Sequence, residues 1–331
     1  MQHRPLGKTG FNISEISLGT WQVGGRWGDA FDDSIAERII ETAIDQGVNF
    51  IDTADVYSDR ASEAVVGRVV RRYQSRGQRI YVATKCGRFI QPHVDAGYTP
   101  AALRSYVEVS LKNSGLETLD LIQLHCPPQA SYDRPEIFAL FDTLKTEGKI
   151  LNLGVSVETI DQALKAIQYS TVTTIQIIFN MFRMRPAEEF FAAARQQNVG
   201  IIVRVPLASG LLSGKYSRAT QFSSGDHRNF NREGAAFDKG ETFSGVDYHT
   251  GLKAVEELKA LFPADANLAA WALRWVLMFP EVSTVIPGAS RAEQVQPNLD
   301  AANLRALTLA EMEGVKTVYD KYIKQSVHHL W

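Results

Sequence analysis

The chain is predicted to be an α/β protein, a (β/α)8 TIM barrel in which residues 1–331 form a single domain. Two observations carry this. Eight short β-branched runs, near 15–20, 48–52, 80–85, 119–125, 150–156, 174–179, 200–205 and 282–287, alternate with helical patterns. These runs are apolar on both faces, as strands of a parallel sheet covered by helices must be. An open doubly wound sheet would alternate in the same way, but length and strand number favour closure.

The elements follow in order. Residues 1–14 predict a short hairpin that plugs the barrel bottom. Between helix and strand a glycine recurs, at Gly47, Gly77, Gly115 and Gly148, which suits the left-handed position after a helix end. Residues 33–46 place Ile35, Ala36, Ile39, Ile40, Ala43 and Ile44 on one stripe at helical spacing. In 99–114, Thr99 is a good N-cap, Pro100 fits the first helical position, and Leu103, Val107 and Leu111 continue the stripe. Residues 207–247, rich in Gly, Ser, Arg, Asn and Asp, form a long loop after the seventh strand, expected to act as a lid or cofactor clasp. The tail KQSVHHLW ends in Trp331 and docks either on the barrel or on a partner; the sequence does not decide which.

Composition narrows the function. The chain is 45% hydrophobic and 22% charged, which is ordinary for a globular protein. A net charge of −2 and a pI near 6.4 argue against nucleic acid or an anionic membrane as partner. No apolar run approaches the ~20 residues of a membrane span. Two cysteines and no signal-like N-terminal segment predict a cytoplasmic, reduced setting. Asn12-Ile13-Ser14 matches a glycosylation acceptor, which has no meaning in that setting.

Three successive strands end in polar residues. FIDTADVY (50–57) carries Asp52 and Tyr57, IYVATK (80–85) carries Lys85, and LIQLHCP (121–127) carries His125. In a parallel barrel all strand C-termini open on one face, so these four groups meet. A phenol is a proton source at neutral pH, and a nearby ammonium stabilises its phenolate. Asp52 would keep Lys85 charged and aimed, and His125 would orient a substrate oxygen. Together they suit an oxygen that gains negative charge as hydride arrives at its carbon. One His and one Asp are too few for a zinc site, so no metal is expected. No serine sits in a nucleophile elbow. Taken singly, Asp52 could cap a turn, Tyr57 could be a surface aromatic, Lys85 a Schiff-base lysine, and His125 a satisfied rim histidine.

These motifs resemble the aldo-keto reductase superfamily over nearly the whole chain. DTADVY, ATK and LIQLHCP are joined, in the family's order, by GVS with Ser156, QIIFN with Gln176 and Asn180, VPLASGLLSGK (205–215) and VIPGASRAEQV (285–295). DHRNF (226–230) looks like the bacterial and plant branches. The resemblance implies NADP(H) lying across the barrel mouth, with Tyr57 as general acid, Lys85 and Asp52 as its tuning pair, and His125 orienting the carbonyl. The cofactor residues it implies begin with Thr20 and Trp21 near strand one and with Ser156 and Gln176 under the nicotinamide carboxamide. Arg204, Pro206, Leu207, Ser209, Gly210, Leu211 and Lys215 follow around the pyrophosphate. Gly288, Ser290, Arg291, Gln294 and Asn298 complete the set at the adenosine end. There is no G-x-G-x-x-G, so a Rossmann site has no support. Ser290 and Arg291, at what reads as a helix start, suit a phosphate dianion, which favours NADP(H) over NAD(H).

Two positions depart from the common family pattern. Val157 stands where many members have Asn, and Arg204 stands where many have an aromatic stacked on nicotinamide. A guanidinium there would disfavour the cationic oxidised ring relative to the reduced one. Cys86 and Cys126 follow Lys85 and His125 on neighbouring strands; a redox pair is conceivable, but buried inert thiols are the expectation. Trp21, Trp27 and Phe89 are expected to line an apolar substrate pocket. The small-molecule partner is then a carbonyl or alcohol. A cofactor-binding regulatory subunit, like the potassium-channel β subunits, and a Schiff-base lyase using Lys85 remain the alternatives to a carbonyl reductase.

Overall fold

A computed structural model of the chain describes residues 1–25 and 28–331. Two short strands, β1 (His3–Pro5) and β2 (Asn12–Ser14), pair antiparallel around a turn at Gly7–Thr9. Eight parallel strands follow: β3 (Leu18–Gly19), β4 (Phe50–Asp52), β5 (Tyr81–Cys86), β6 (Leu119–His125), β7 (Ile150–Ser156), β8 (Val172–Ile178), β9 (Gly200–Arg204) and β10 (Val282–Val285). Each pairs with the next in sequence. The barrel closes where Ser17 N–H donates to Val285 O (2.9 Å), Val285 N–H to Glu15 O (3.0 Å) and Gly19 N–H to Pro287 O (3.1 Å).

Helices pack outside. The one at Asp33–Asp45 begins where Asp32 accepts from the Ser34 and Ile35 N–H groups, a cap that satisfies two orphan donors. Its stripe buries Ala36, Ile39, Ile40, Ala43 and Ile44. Ile35, expected in that stripe, is 39% exposed, because it lies one position off the face that meets the sheet. The helix Pro100–Ser114 has the expected Thr99 cap, and Gly115 ends it at φ 67°. Gly47, Gly77 and Gly148 also have positive φ, as their place after helices predicts.

The hairpin is the expected plug. Leu6 and Ile13 pack with Phe50, Ala83, Leu121, Ile202 and Ile286 to fill the bottom of the barrel. A Cβ on Gly7 would stand 2.2 Å from the Gly200 nitrogen, so only glycine lets the turn approach β9 this closely. Arg4 reaches across the seam to Leu277 O (2.9 Å) and Val282 O (3.0 Å), and pairs with Glu15 at 3.0 Å.

The long loop is folded rather than open. Short helical turns at Ala208–Ser213, His227–Phe230, Lys239–Glu241 and Phe243–Gly245 lead into the helix Tyr248–Lys259. The tail docks on this loop: Trp331 is buried, its Nε1–H donates to Asp238 Oδ1 (3.0 Å), and the Arg183 guanidinium lies 3.9 Å from its ring centre. No helix among the described residues is long and apolar enough to cross a membrane.

Candidate active site

Sheet register assembles the floor of the site. Lys85 on β5 lies level with Gln123 on β6, and His125 with Ser156 on β7. Asp52, at the end of β4, is buried, and its carboxylate takes three side-chain donors. Lys85 Nζ donates to Oδ1, while Gln123 Nε2 (3.0 Å) and Gln176 Nε2 (2.7 Å) donate to Oδ2. Lys85 also donates to Thr53 O (2.8 Å) and to the Tyr57 hydroxyl (3.3 Å). Burial works against the Lys85 charge, but Asp52 and then Tyr57 outweigh it and hold the ammonium above its usual range. Burial raises the Tyr57 phenol, while Lys85 pulls in the opposite direction. The Tyr57 and His125 rings meet edge-on, 6.0 Å between centres. Burial, reinforced by Arg88 and Lys85, pushes His125 well below its ordinary value, so its imidazole is neutral at pH 7. Its Nδ1 is buried without a partner among the described residues, a donor or acceptor held in reserve.

These groups open on a cavity of about 680 Å³. Its lining brings together Thr20, Trp21, Asp52, Tyr57, His125 and Gln176 at the floor. Arg204, Pro206, Leu207, Ser209, Gly210 and Lys215 line one side, and Gly288, Ser290, Arg291, Gln294 and Asn298 the far end. Lys85 lies behind the lining, reaching it through Tyr57. Ser156 also lies behind, 3.4 Å from Gln176 Oε1, and Leu211 is buried against Gly251. An extended dinucleotide fits this space: the cavity runs from the strand ends to exposed Arg291, and the backbone beside it turns left-handed at Ala208, Ser209 and Gly210.

Several expectations change. Phe89 does not line the cavity; it lies in the turn after β5, where its ring faces Arg60, 4.8 Å from the guanidinium, and its neighbour Arg88 lines the cavity instead. Trp27 lies outside the described residues. The helical segment after Arg291 is a 3-10 turn, Ala292–Gln294, followed by the five-residue Val295–Leu299, too short for a helix dipole to matter. The polar side chains that line the cavity there are Ser290 and Arg291, with Lys215 also in the lining. Gln294 already accepts from Ser290 N–H (2.7 Å), and Asn298 donates to Gly288 O (3.3 Å), so both shape the loop. Arg204 does not stand alone beside the cavity: it donates to Val157 O (3.0 Å) and lies 3.5 Å from the Glu241 carboxylate. That partner offsets the charge on which the expected bias against the oxidised cofactor depended. Cys86 and Cys126 are free and buried, and burial pushes the Cys126 thiol up to about 11 and Cys86 well above its usual value, so neither is a thiolate at neutral pH.

Sequence reasoning missed Gln123, Arg88, Phe237, His227 and Glu241. Gln123 had a signal: it is a polar residue within the apolar stretch Leu121–Leu124, two before His125 and therefore on the same face. Glu241 and Phe237 had none, since the long loop brings them in without periodicity. Among the described residues, Cys126, Glu158 and Glu241 bring ligand atoms within 4.8 Å of one another. Arg88 and Arg204 already stand beside Glu241 as its cations, so the cluster reads as an ion-pair wall.

Comparison with known proteins agrees with this geometry. The aldo/keto reductase family model matches residues 15–320. An NADH-specific methylglyoxal reductase of Escherichia coli (strain K12) is 27% identical, covering 92% of this chain and 94% of that protein. A probable voltage-gated potassium channel subunit beta of Arabidopsis thaliana is also 27% identical, over 92% of each chain. Among solved structures, the glycerol dehydrogenase AKR11B4 from Gluconobacter oxydans superposes with a TM-score of 0.78 at 28% identity, covering 97% of this chain and 96% of that one. The chain belongs to the aldo/keto reductase family, oxidoreductases that use nicotinamide cofactors on small-molecule carbonyl compounds.

Proposed function

We propose that residues 1–331, acting as one domain, form an NADP(H)-dependent reductase that converts aldehyde or ketone carbonyls to alcohols, with Tyr57 as general acid. The observation that carries this is the Tyr57 hydroxyl, 3.3 Å from the Lys85 ammonium, on the wall of a cavity it shares with His125. The nicotinamide, when bound, supplies the hydride. Tyr57 then gives its proton to the carbonyl oxygen, and Lys85 stabilises the phenolate left behind. Asp52 keeps Lys85 charged, and Gln123 and Gln176 hold Asp52 in place. His125, neutral, hydrogen-bonds the carbonyl oxygen and fixes its direction. Trp21, 6.3 Å from Tyr57 ring to ring, shields the phenol from water.

Ser290, Arg291 and Lys215 favour the extra phosphate of NADP(H). Arg291→Ala should weaken NADPH binding about tenfold and leave NADH binding little changed, read by fluorescence titration. Equal losses for both cofactors would remove this preference. The setting consistent with all of this is the cytoplasm, with no nucleic-acid or membrane partner.

The test is NADPH oxidation by purified protein against a panel of aldehydes, with Tyr57→Phe beside it. Turnover lost in the variant while NADPH still binds supports the assignment. The potassium-channel relative favours a second reading, a cofactor-binding regulatory subunit. Tight NADPH retention with no turnover on any aldehyde would favour it.

A further inference from the structure

The cavity wall beside Tyr57 and His125 is charged where an apolar lining was expected. Arg88 follows β5, Arg204 ends β9, and Glu241 comes from the long loop; all three line the cavity. Glu241 accepts from Arg88 Nη1 at 3.1 Å and stands 3.5 Å from Arg204 Nη1. The other nitrogen of the Arg204 fork is committed to Val157 O (3.0 Å), with Cys126 Sγ at 3.7 Å. Arg88 is tied differently. Its hydrogen bonding runs through Nη1 alone, its guanidinium lies 5.9 Å from the Phe237 ring centre, its side chain is 19% exposed, and its other N–H groups have no hydrogen-bond partner among the described residues.

Two guanidiniums against one carboxylate leave this lining one positive charge in excess. The groups behind it cancel that charge only in part. Asp238, which accepts from Gly240 N–H and Trp331 Nε1–H, is offset by the Arg183 guanidinium over the same Trp331 ring. Burial, then Asp238 and Glu241, push the Glu158 carboxyl up to about 7, so it is only partly ionised at neutral pH. A cation held at the edge of a cavity with a free face favours an anionic ligand, and a guanidinium fork matches a carboxylate in particular.

We propose that the substrate is a carbonyl compound bearing a carboxylate, which the free edge of Arg88 binds while the carbonyl lies between Tyr57 and His125. This rests on the reductase assignment above. Arg88 is then a specificity-determining residue. Glu241 is a positioning residue that fixes the plane of the guanidinium.

The test compares 4-carboxybenzaldehyde with 4-carbamoylbenzaldehyde, a neutral compound of nearly the same shape, by NADPH oxidation. In wild type, kcat/KM for the acid should exceed that for the amide about ten- to hundredfold, mostly through KM. Arg88→Gln should bring the ratio close to one, and Arg88→Lys should restore part of it. Calorimetric titration of 4-(hydroxymethyl)benzoate into the NADP+ complex gives a readout without turnover; its Kd should rise by a similar factor in Arg88→Gln. Equal kcat/KM for acid and amide in wild type overturns the proposal. So does a ratio that survives in a folded Arg88→Gln. If Arg88→Gln does not fold, the wild-type ratio and the Lys variant decide. If neither aldehyde turns over, the calorimetric comparison decides whether Arg88 binds a carboxylate; the reductase assignment fails only if the wider aldehyde panel is inert as well.

Discussion

The floor and the rim of the barrel mouth are held by different means. On the floor, Asp52, Lys85, Gln123, His125 and Gln176 sit on β4, β5, β6 and β8 of one parallel sheet, and its register brings them to one end of the barrel. On the rim, residues 207–247 take left-handed backbone at Ala208, Ser209, Phe243 and Ser244, which costs energy at non-glycine positions. Single long-range ties hold them there. Asn180 donates to Val205 O and Ser244 Oγ, Ser209 Oγ bonds Glu241 O and Phe243 N, and Trp331 grips Asp238. The floor is over-determined by the sheet, whereas each rim contact is individually replaceable. In the proposed function, chemistry rests on the rigid part and substrate choice on the adjustable part.

Substitutions on the two regions can break that contrast. The largest effect is expected on the floor. Tyr57→Phe should lower kcat by about 10²–10⁴-fold with the fold intact, measured by NADPH oxidation and circular dichroism. A loss of less than tenfold would mean that another group supplies the proton.

The next concerns Asp55, in the turn between Asp52 and Tyr57. It is fully buried, neither of its oxygens has a partner among the described residues, and burial followed by Glu63 pushes it up to about 7. The folded state therefore holds this proton more tightly than the unfolded chain, whose pKa is near 3.9. Its contribution to stability is full below about pH 4 and is lost as pH rises towards about 7, a change on the order of 4 kcal/mol. Asp55→Asn should flatten the pH dependence of urea unfolding between pH 4 and pH 8. Parallel wild-type and variant profiles would show that Asp55 is solvated.

On the rim, Trp331→Ala should cost about 3 kcal/mol, the low end for a buried Trp, because it removes both packing and the Arg183 contact. It should also speed proteolysis within 207–247 without speeding cleavage elsewhere. Uniform cleavage would mean that floor and rim unfold together. The smallest effect is expected away from both regions. Ile35→Ser on the outer helix should change stability by no more than about 0.5 kcal/mol, read from the urea midpoint.

What the sequence revealed follows the same division. Strand ends such as Lys85 and His125 were legible because an apolar run stops on a polar residue, and a parallel sheet puts all such stops on one face. The hairpin plug and the Thr99 cap were legible because their signals are local. The ion pair of Arg88 with Glu241 joins residues 153 positions apart, and no local pattern encodes it. Phe89 was assigned one position from the residue that turns inward, an error to which aromatic content invites and which only the local backbone direction corrects. The tail was undecided because Trp331 docks on a loop that itself has no periodicity.

The seam of the barrel has a consequence for how the chain acquires its shape. Thr284 donates to Ser14 O at 2.9 Å across 270 residues, and Arg4 reaches the Leu277 carbonyl across 273. Contacts so distant along the chain carry the greatest loop-closure entropy and form late. During synthesis at about 5–20 residues per second, the first strand and its plug must wait many seconds for β10 to emerge. Until then β3 is an edge with unpaired backbone, open to pairing with another chain. The early product is a curved open sheet, and refolding yield should fall with protein concentration more steeply than the net negative charge of the finished barrel suggests.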